Sequence, residues 1–267
     1  MIIEQSTQVV LSTPYEQLCI DSDQDIELSL KAVCNTNVYI NVIKANSLVI
    51  TSEIEEGLAC TYLVWNSSKE SVNTKDYYKV GKDAELKLAY GDCNTSEVSH
   101  EVVMDLVAEG AKGTIKSATL CQAKKKYTID VNSLVPHTEG IIENYSVVLP
   151  TGNYTMVATG SIAKGAYQSV SHQTSRALTM DEGLNAVILP KLLIDENDVQ
   201  ASHATSVGRI DENQLIYLQS RGLTEGQVLN LISTGYLMPI ASFIENEQLQ
   251  NQLKEEIESK VSASCSM

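Results

Sequence analysis

The sequence contains no Cys-x-x-Cys pair, although it has six cysteines: Cys19, Cys34, Cys60, Cys93, Cys121 and Cys265. Their scatter excludes a self-contained zinc or ferredoxin-type centre, whose ligands come in compact spacings. In a reducing compartment they are expected to be free thiols, several of them buried as small apolar groups. Proline is scarce, 5 in 267 residues, which suits long hydrogen-bonded sheets because proline cannot donate to a ladder. No apolar run approaches the roughly 20 residues of a membrane helix. Residues 1–14 carry Glu4 and no cation ahead of Val9-Val10-Leu11, so they do not read as a signal peptide. Cations are few as well: 19 Lys and Arg stand against 34 Asp and Glu, a formal charge of −15. Such a surface repels phosphate backbones and anionic lipids, which argues against nucleic acid and membrane as partners. The expected location is the cytoplasm.

Motifs for chemistry are missing too. Without a Gly-x-x-x-x-Gly-Lys-Ser/Thr loop the chain should not hydrolyse ATP by the P-loop route. His100-Glu101 starts a zinc-protease pattern, but Met104 stands where the second histidine is needed. Gly-x-Ser-x-Gly is absent, and none of His100, His137, His172 and His203 has a neighbourhood that specifies a nucleophile. No catalytic residue is therefore assigned.

What is present is a series of short β-prone runs over about residues 26–199, each following a polar or glycine-containing turn. Glu56-Gly57, Lys82-Asp83, Glu109-Gly110, Thr151-Gly152-Asn153 and Glu182-Gly183 are the turns. A sandwich and a solenoid both fit this pattern. Residues 185–194, apolar with little alternation, favour burial on both faces and hence a solenoid.

The chain changes character after Gly208. Asp211-Glu-Asn-Gln214 has the shape of a capping box opening a helix through Leu215, Ile216 and Leu218, which Arg221-Gly222 ends with a cation and a left-handed cap. Thr224-Glu-Gly-Gln227 repeats the start, with Val228, Leu231, Ile232 and Tyr236 expected on one face. A third helix is expected near residues 246–260, where Leu249, Leu253, Ile257 and Val261 recur every fourth position. Residues 262–267 are expected to fray. The division is thus a β core at 1–208 and a helical segment at 209–267.

The most specific stretch lies across this boundary. Pro190-Lys-Leu-Leu-Ile-Asp-Glu-Asn-Asp198, then Ser202-His-Ala-Thr-Ser-Val-Gly-Arg-Ile210, then Leu215-Ile-Tyr-Leu-Gln-Ser-Arg-Gly222 closely resembles the C-terminal signature of the SufB/SufD family of iron–sulfur cluster assembly scaffolds. Residues 177–182 look like the family's strand before the proline. The resemblance implies a right-handed parallel β-helix with a small C-terminal α-helical segment. It also implies docking of a SufC-like ATPase on that segment, through Asp211, Leu215, Tyr217, Leu218, Arg221 and Gly222, and pairing through the β-helix with a SufB-like subunit or a second copy. Family members usually carry an extra N-terminal helical region, for which this sequence has no room.

In SufB-type members a cysteine upstream of the proline and a His-Glu pair after it are implicated in forming the nascent cluster. The matching positions here are Ser175, His203 and Ala204, so only His203 survives as an iron or cluster ligand, and the chain resembles SufD more than SufB. No cofactor is expected to bind stably; a cluster would be held transiently and shared with the partner, whose thiolates supply the remaining ligands. The alternative for His203 is a structural histidine at the end of the β-helix. His172 reads as surface polar, Asp195 and Asp198 as turn residues bonding to backbone, and Arg221-Gly222 as helix termination. The competing function, a β-helix enzyme acting on acidic polysaccharide, would need cations in a groove and stacking aromatics, for which Trp65 is the one residue of the best type. The expected function is therefore a non-enzymatic scaffold.

Overall fold

The computed structural model describes residues 1–180 and 185–265. Its strands are, in chain order, β1 (Ile2–Ile3), β2 (Thr7–Leu11), β3 (Tyr15–Asp21), β4 (Ile26–Ala32), β5 (Thr36–Lys44), β6 (Ser47–Ile54), β7 (Ala59–Asn66), β8 (Val72–Val80), β9 (Glu85–Asp92), β10 (Val98–Leu106), β11 (Lys112–Cys121), β12 (Lys124–Ser133), β13 (Glu139–Val148), β14 (Asn153–Ile162), β15 (Val170–Thr179), β16 (Ala186–Ile194) and β17 (Gln200–Gly208). Helices α1 (Glu212–Ser220), α2 (Glu225–Leu237) and α3 (Glu247–Cys265) follow, with a 3₁₀ turn, Met238–Ser242, between the last two. None of the described helices is long and apolar enough to cross a membrane.

Odd-numbered strands form one sheet and even-numbered strands the other, each in sequence order and paired in parallel. This is a parallel β-helix, and its strands run from Ile2 to Gly208. Side chains alternate along each strand, so β8 buries Val72, Thr74, Asp76, Tyr78 and Val80 between the sheets and exposes the rest. The coils lengthen along the axis: Thr7 pairs with Leu28, whereas Tyr154 pairs with Ala186.

The turns at one edge stack. Gly57, Asp83, Gly110, His137 and Gln168 all have positive φ, and their N–H groups donate in turn to the carbonyls of Lys82, Glu109, His137, Tyr167 and Asp198 on the following coil. Glycine adopts this left-handed conformation without steric cost, which is why Glu56-Gly57 and Glu109-Gly110 were legible as turns. The turn expected at Glu182-Gly183 lies outside the described residues.

The helices fold back on the outer face of the odd sheet. Tyr39, Leu63, Trp65, Ala89, Leu120 and Val147 from that face form one apolar cluster with Leu237, Ile240, Ile244, Leu249, Leu253, Ile257 and Val261. The fourfold spacing in α3 thus marks its sheet-facing stripe, as expected, and the helix continues to Cys265 instead of fraying after Val261. In α2, Val228 is buried and Ile232 and Tyr236 pack half-buried against the cluster, as expected, with Ser233 and Leu237 also buried, while Leu231 is turned out to solvent.

Candidate functional site

The end of the β-helix is an open coil. Every residue of β17 is exposed, and β17 and β16 are the last strands of their sheets. Pro190 fits here because an edge strand has one side without ladder partners. The expectation that residues 185–194 are buried on both faces is overturned: Val187, Leu189 and Leu193 on the outward row of β16 are 46%, 48% and 57% exposed. Apart from Lys191 on the outward row the strand is apolar on both faces, and nothing among the described residues covers its outer one.

His203 lies in the middle of β17, in register with Gln173 of β15. Gln173 is buried, so strand alternation sets His203, with Ala201 and Thr205, on the inward row of the open coil. Ala204 occupies the outward row, in register with Thr174. His172 is also outward, its Nδ1 2.8 Å from Ser202 Oγ, so the fold puts His172 and His203 on opposite faces.

Ser175 is buried and in register with Thr205. It ends a row of interior side chains: Ser117 donates to Asn144 Oδ1 at 2.7 Å, and Asn144 Nδ2 donates to Ser175 Oγ at 3.0 Å. A cysteine at this position would point into the lumen toward the open coil; the serine is instead tied into a neutral amide–hydroxyl ladder. Beside it, Gln173 Nε2 donates to Lys191 O at 2.7 Å across the coil, and its Oε1 is buried without a partner. In the acidic turn after β16, Asp198 offers its backbone carbonyl to Gln168. The side-chain bonds to backbone come from Glu196, which accepts from Gly165 N and Asn197 N and is thereby held below the usual carboxylate range.

The helix that follows is built as its sequence indicates. Asp211 caps α1 by accepting from the N–H groups of Asn213 and Gln214 at 2.8 and 3.1 Å. The reciprocal bond of a full capping box forms in α2, between Thr224 and Gln227. Gly222, at φ +94°, ends α1, and the Arg221 guanidinium lies 5.1 Å over the Tyr217 ring. No residue of α1 is buried; Ile216 and Tyr217 are 63% and 56% exposed, and Leu215 and Leu218 are half-buried.

Sequence reasoning missed a second constellation, sealed between the sheets at mid-solenoid. Asp76 Oδ2 accepts from Tyr90 OH at 2.6 Å and from His100 Nε2 at 3.0 Å. Lys125 is wholly buried and its ammonium bridges both oxygens of Asp92 at 3.0 and 2.9 Å, while Tyr127 OH donates to Asp92 Oδ2 at 2.7 Å. Burial first, and the neighbouring carboxylates second, push the phenols of Tyr78, Tyr90 and Tyr127 well above their ordinary range. The overlooked clue was spacing: Asp76-x-Tyr78, Tyr90-x-Asp92 and Lys125-x-Tyr127 each put a charge and a phenol on one strand face. His100 therefore points inward and Glu101 outward, to Lys75 at 3.2 Å, which separates the two residues of the zinc-protease fragment.

The cysteines lie away from the open coil. Burial pushes the Cys60 thiol up to about 11 and those of Cys93 and Cys121 up to about 12, so they stay protonated at neutral pH. Among the described residues no three His, Cys, Asp or Glu side chains gather to hold a metal. Trp65 is fully buried beneath the helices, which removes it as a sugar-stacking surface.

Comparison with known proteins agrees with this architecture. Residues 7–236 match the family described as "SUF system FeS cluster assembly, SufBD core domain". The chain is 32% identical over 183 residues to the iron–sulfur cluster assembly protein SufD of Bacillus subtilis, covering 68% of this chain and 42% of that protein. It is 24% identical over 148 residues to the Escherichia coli SufD, with 54% of this chain and 35% of that protein covered. Against the Bacillus subtilis SufB it is 24% identical over 260 residues, 92% of this chain and 54% of that protein. The chain thus spans about half or less of the length of these relatives. With the two-sheet β-helix from β2 onward, the Ser202-His203 strand and the capped helix after it lying within the matched region, the chain belongs to the SufB/SufD family of iron–sulfur cluster assembly proteins.

Proposed function

We propose that the chain is a non-enzymatic, cytoplasmic scaffold subunit of a SufBCD-type complex that pairs through its open coil and presents His203 to a cluster assembled there as cargo. The observation that carries this is the uncovered end of the β-helix. An exposed nine-residue edge strand, β17, beside an apolar outward row, Val187, Leu189 and Leu193, is a surface that soluble proteins normally cover or blunt. A second β-helix end, from a SufB-like subunit or another copy of this chain, supplies matching edges and buries that row.

On such an interface His203 contributes one imidazole nitrogen to iron, while the other is oriented by a neighbouring acceptor. The protonated thiols of Cys60, Cys93 and Cys121 and the hydroxyl of Ser175 make poor ligands, so thiolates come from the partner. The exposed apolar face of α1, next in the chain after β17, suits the docking of a SufC-like ATPase. Nucleotide-driven movement of that subunit would then act on α1 and, through the short link Arg209-Ile210, on the strand that bears His203.

The test is His203→Ala in the assembled complex. Its exposed side chain should leave the fold, pairing and ATPase binding unchanged while slowing cluster formation, followed by visible absorption during anaerobic assembly. Cluster formation at the wild-type rate would reduce His203 to a structural residue.

A further inference from the structure

A cleft of about 270 Å³ opens where the α2–3₁₀ corner meets the uncovered part of the odd sheet. Lys116, Glu143, Tyr145 and Arg176 of β11, β13 and β15 line its sheet side, and Tyr236 and Pro239 its helical side. Two of its charges cancel, because Lys116 Nζ is 2.6 Å from Glu143 Oε2. Arg176 has no ion-pair or hydrogen-bond partner among the described residues, and neither do the hydroxyls of Tyr145 and Tyr236. In a chain with 15 more acidic than basic groups, a guanidinium that lines a concavity with no carboxylate beside it among the described residues stands out.

Arg176 is exposed, and the groups that the cleft offers a ligand are the five N–H of its cationic fork and two phenolic hydroxyls, which can donate or accept. An anion with two oxygens in a plane, a carboxylate or a phosphate, satisfies the fork in bidentate fashion. Ala118, Pro239 and Ile240 add apolar lining to the two tyrosine rings, beside Ser117, which suits a flat apolar body. By contrast, a groove of about 420 Å³ on the even sheet mixes Lys31 and Lys79 with Glu53 and Glu55, and Lys31 is already paired with Glu55.

We propose that this cleft binds a small anion with a planar apolar body, an aromatic carboxylate or phosphate ester, with Arg176 holding the anionic group. The site borders the open coil, since Arg176 is in register with Ser206 of β17, but it does not depend on the scaffold role.

Phenyl phosphate, benzoate and orthophosphate, titrated calorimetrically into the full chain at fixed low salt, test it. For ligands of this size a Kd of roughly millimolar or tighter is expected for at least one of the two aromatic probes. Arg176→Gln should weaken it by roughly tenfold or more, and Arg176→Lys nearly as much, because a lysine does not bind in bidentate fashion. An unchanged melting temperature would show that the exposed substitution leaves the fold intact. Binding of phenyl phosphate alone identifies a phosphate ester, of benzoate alone a carboxylate, and of both the shared anionic chemistry. Failure of both aromatic probes, or undiminished binding to Arg176→Gln, overturns the site. Orthophosphate binding as tightly as phenyl phosphate overturns the planar-body requirement.

Discussion

Substituting Gly91 by alanine is expected to loosen the helices from the β-helix. Gly91 of β9 is in register with Trp65 of β7, on the face that α3 and the 3₁₀ turn cover. A methyl group on Gly91 would overlap Trp65 Cε3 and Cζ3 and stand 3.2 Å from Cδ2. Carbon atoms need about 3.5 to 4.0 Å, so the indole must shift or the backbone must yield. Trp65 is fully buried and closed in by the helices, which leaves it nowhere to go without displacing them. Overpacking of this kind costs about 1–3 kcal/mol, and the melting temperature should fall by roughly 2–4 °C for each kcal/mol. Because Trp65 is the only tryptophan, its fluorescence reports the event directly: the emission maximum should move to the red as water reaches the ring. Trp65→Leu in the Gly91→Ala background should recover part of the loss, the pair being coupled rather than additive. An unshifted emission maximum together with an unchanged melting temperature would refute the packing of the helices on this face.

Other consequences follow from the interior and from α1. Lys125→Met should destabilise by about 3–5 kcal/mol in denaturant titration, since it strands the Asp92 carboxylate in the core, and adding Asp92→Asn should restore much of that. If Lys125→Met alone proved neutral, the ammonium would not be compensating Asp92. In alkali, Cys60, Cys93 and Cys121 ionise near 9 when unfolded but only at about 11 to 12 when folded. The stability they confer is therefore complete below pH 9 and is lost as pH rises through 9–12, at about 1.4 kcal/mol per pH unit for each thiol, joined by the buried tyrosines. A flat unfolding free energy between pH 8.5 and 11 would contradict that burial. Ile216→Asp with Tyr217→Ala, both on the exposed face of α1, should leave stability within about 0.5 kcal/mol yet abolish binding of a SufC-like ATPase in calorimetry, and retained affinity would place the dock elsewhere.

Much of the architecture was legible because local chemistry and fold agree. Asp83, Gly57 and Gly110 read as turns since they tolerate the left-handed conformation each coil repeats, whereas His137 and Gln168 hold the same conformation with no residue preference to announce it. Asp211, Thr224 and Gly222 marked helix ends through capping chemistry that is local to a few residues. On α2 the expected Val228, Ile232 and Tyr236 do pack inward, and of the four only Leu231 is left to solvent. Residues 185–194 were apolar on both faces as read, but whether a face is covered within the chain or by another molecule is a tertiary fact. The Asp76–His100 and Asp92–Lys125 pairs went unseen since each joins residues on different coils, and only the charge–phenol spacing within a strand hinted at them. Ser175 and His203 were found through the family signature, and strand alternation then placed both on the inward row.

Pairing through the open coil is the central claim, and native mass spectrometry of Leu189→Asp/Leu193→Asp tests it most directly. Both residues lie outward on β16 and are about half exposed in the single chain, so the isolated fold should tolerate the change. The wild-type chain should form a stable one-to-one pair, with a SufB-like subunit or with itself, and the double variant should remain a folded monomer. A variant that pairs as tightly as the wild type would contradict the account.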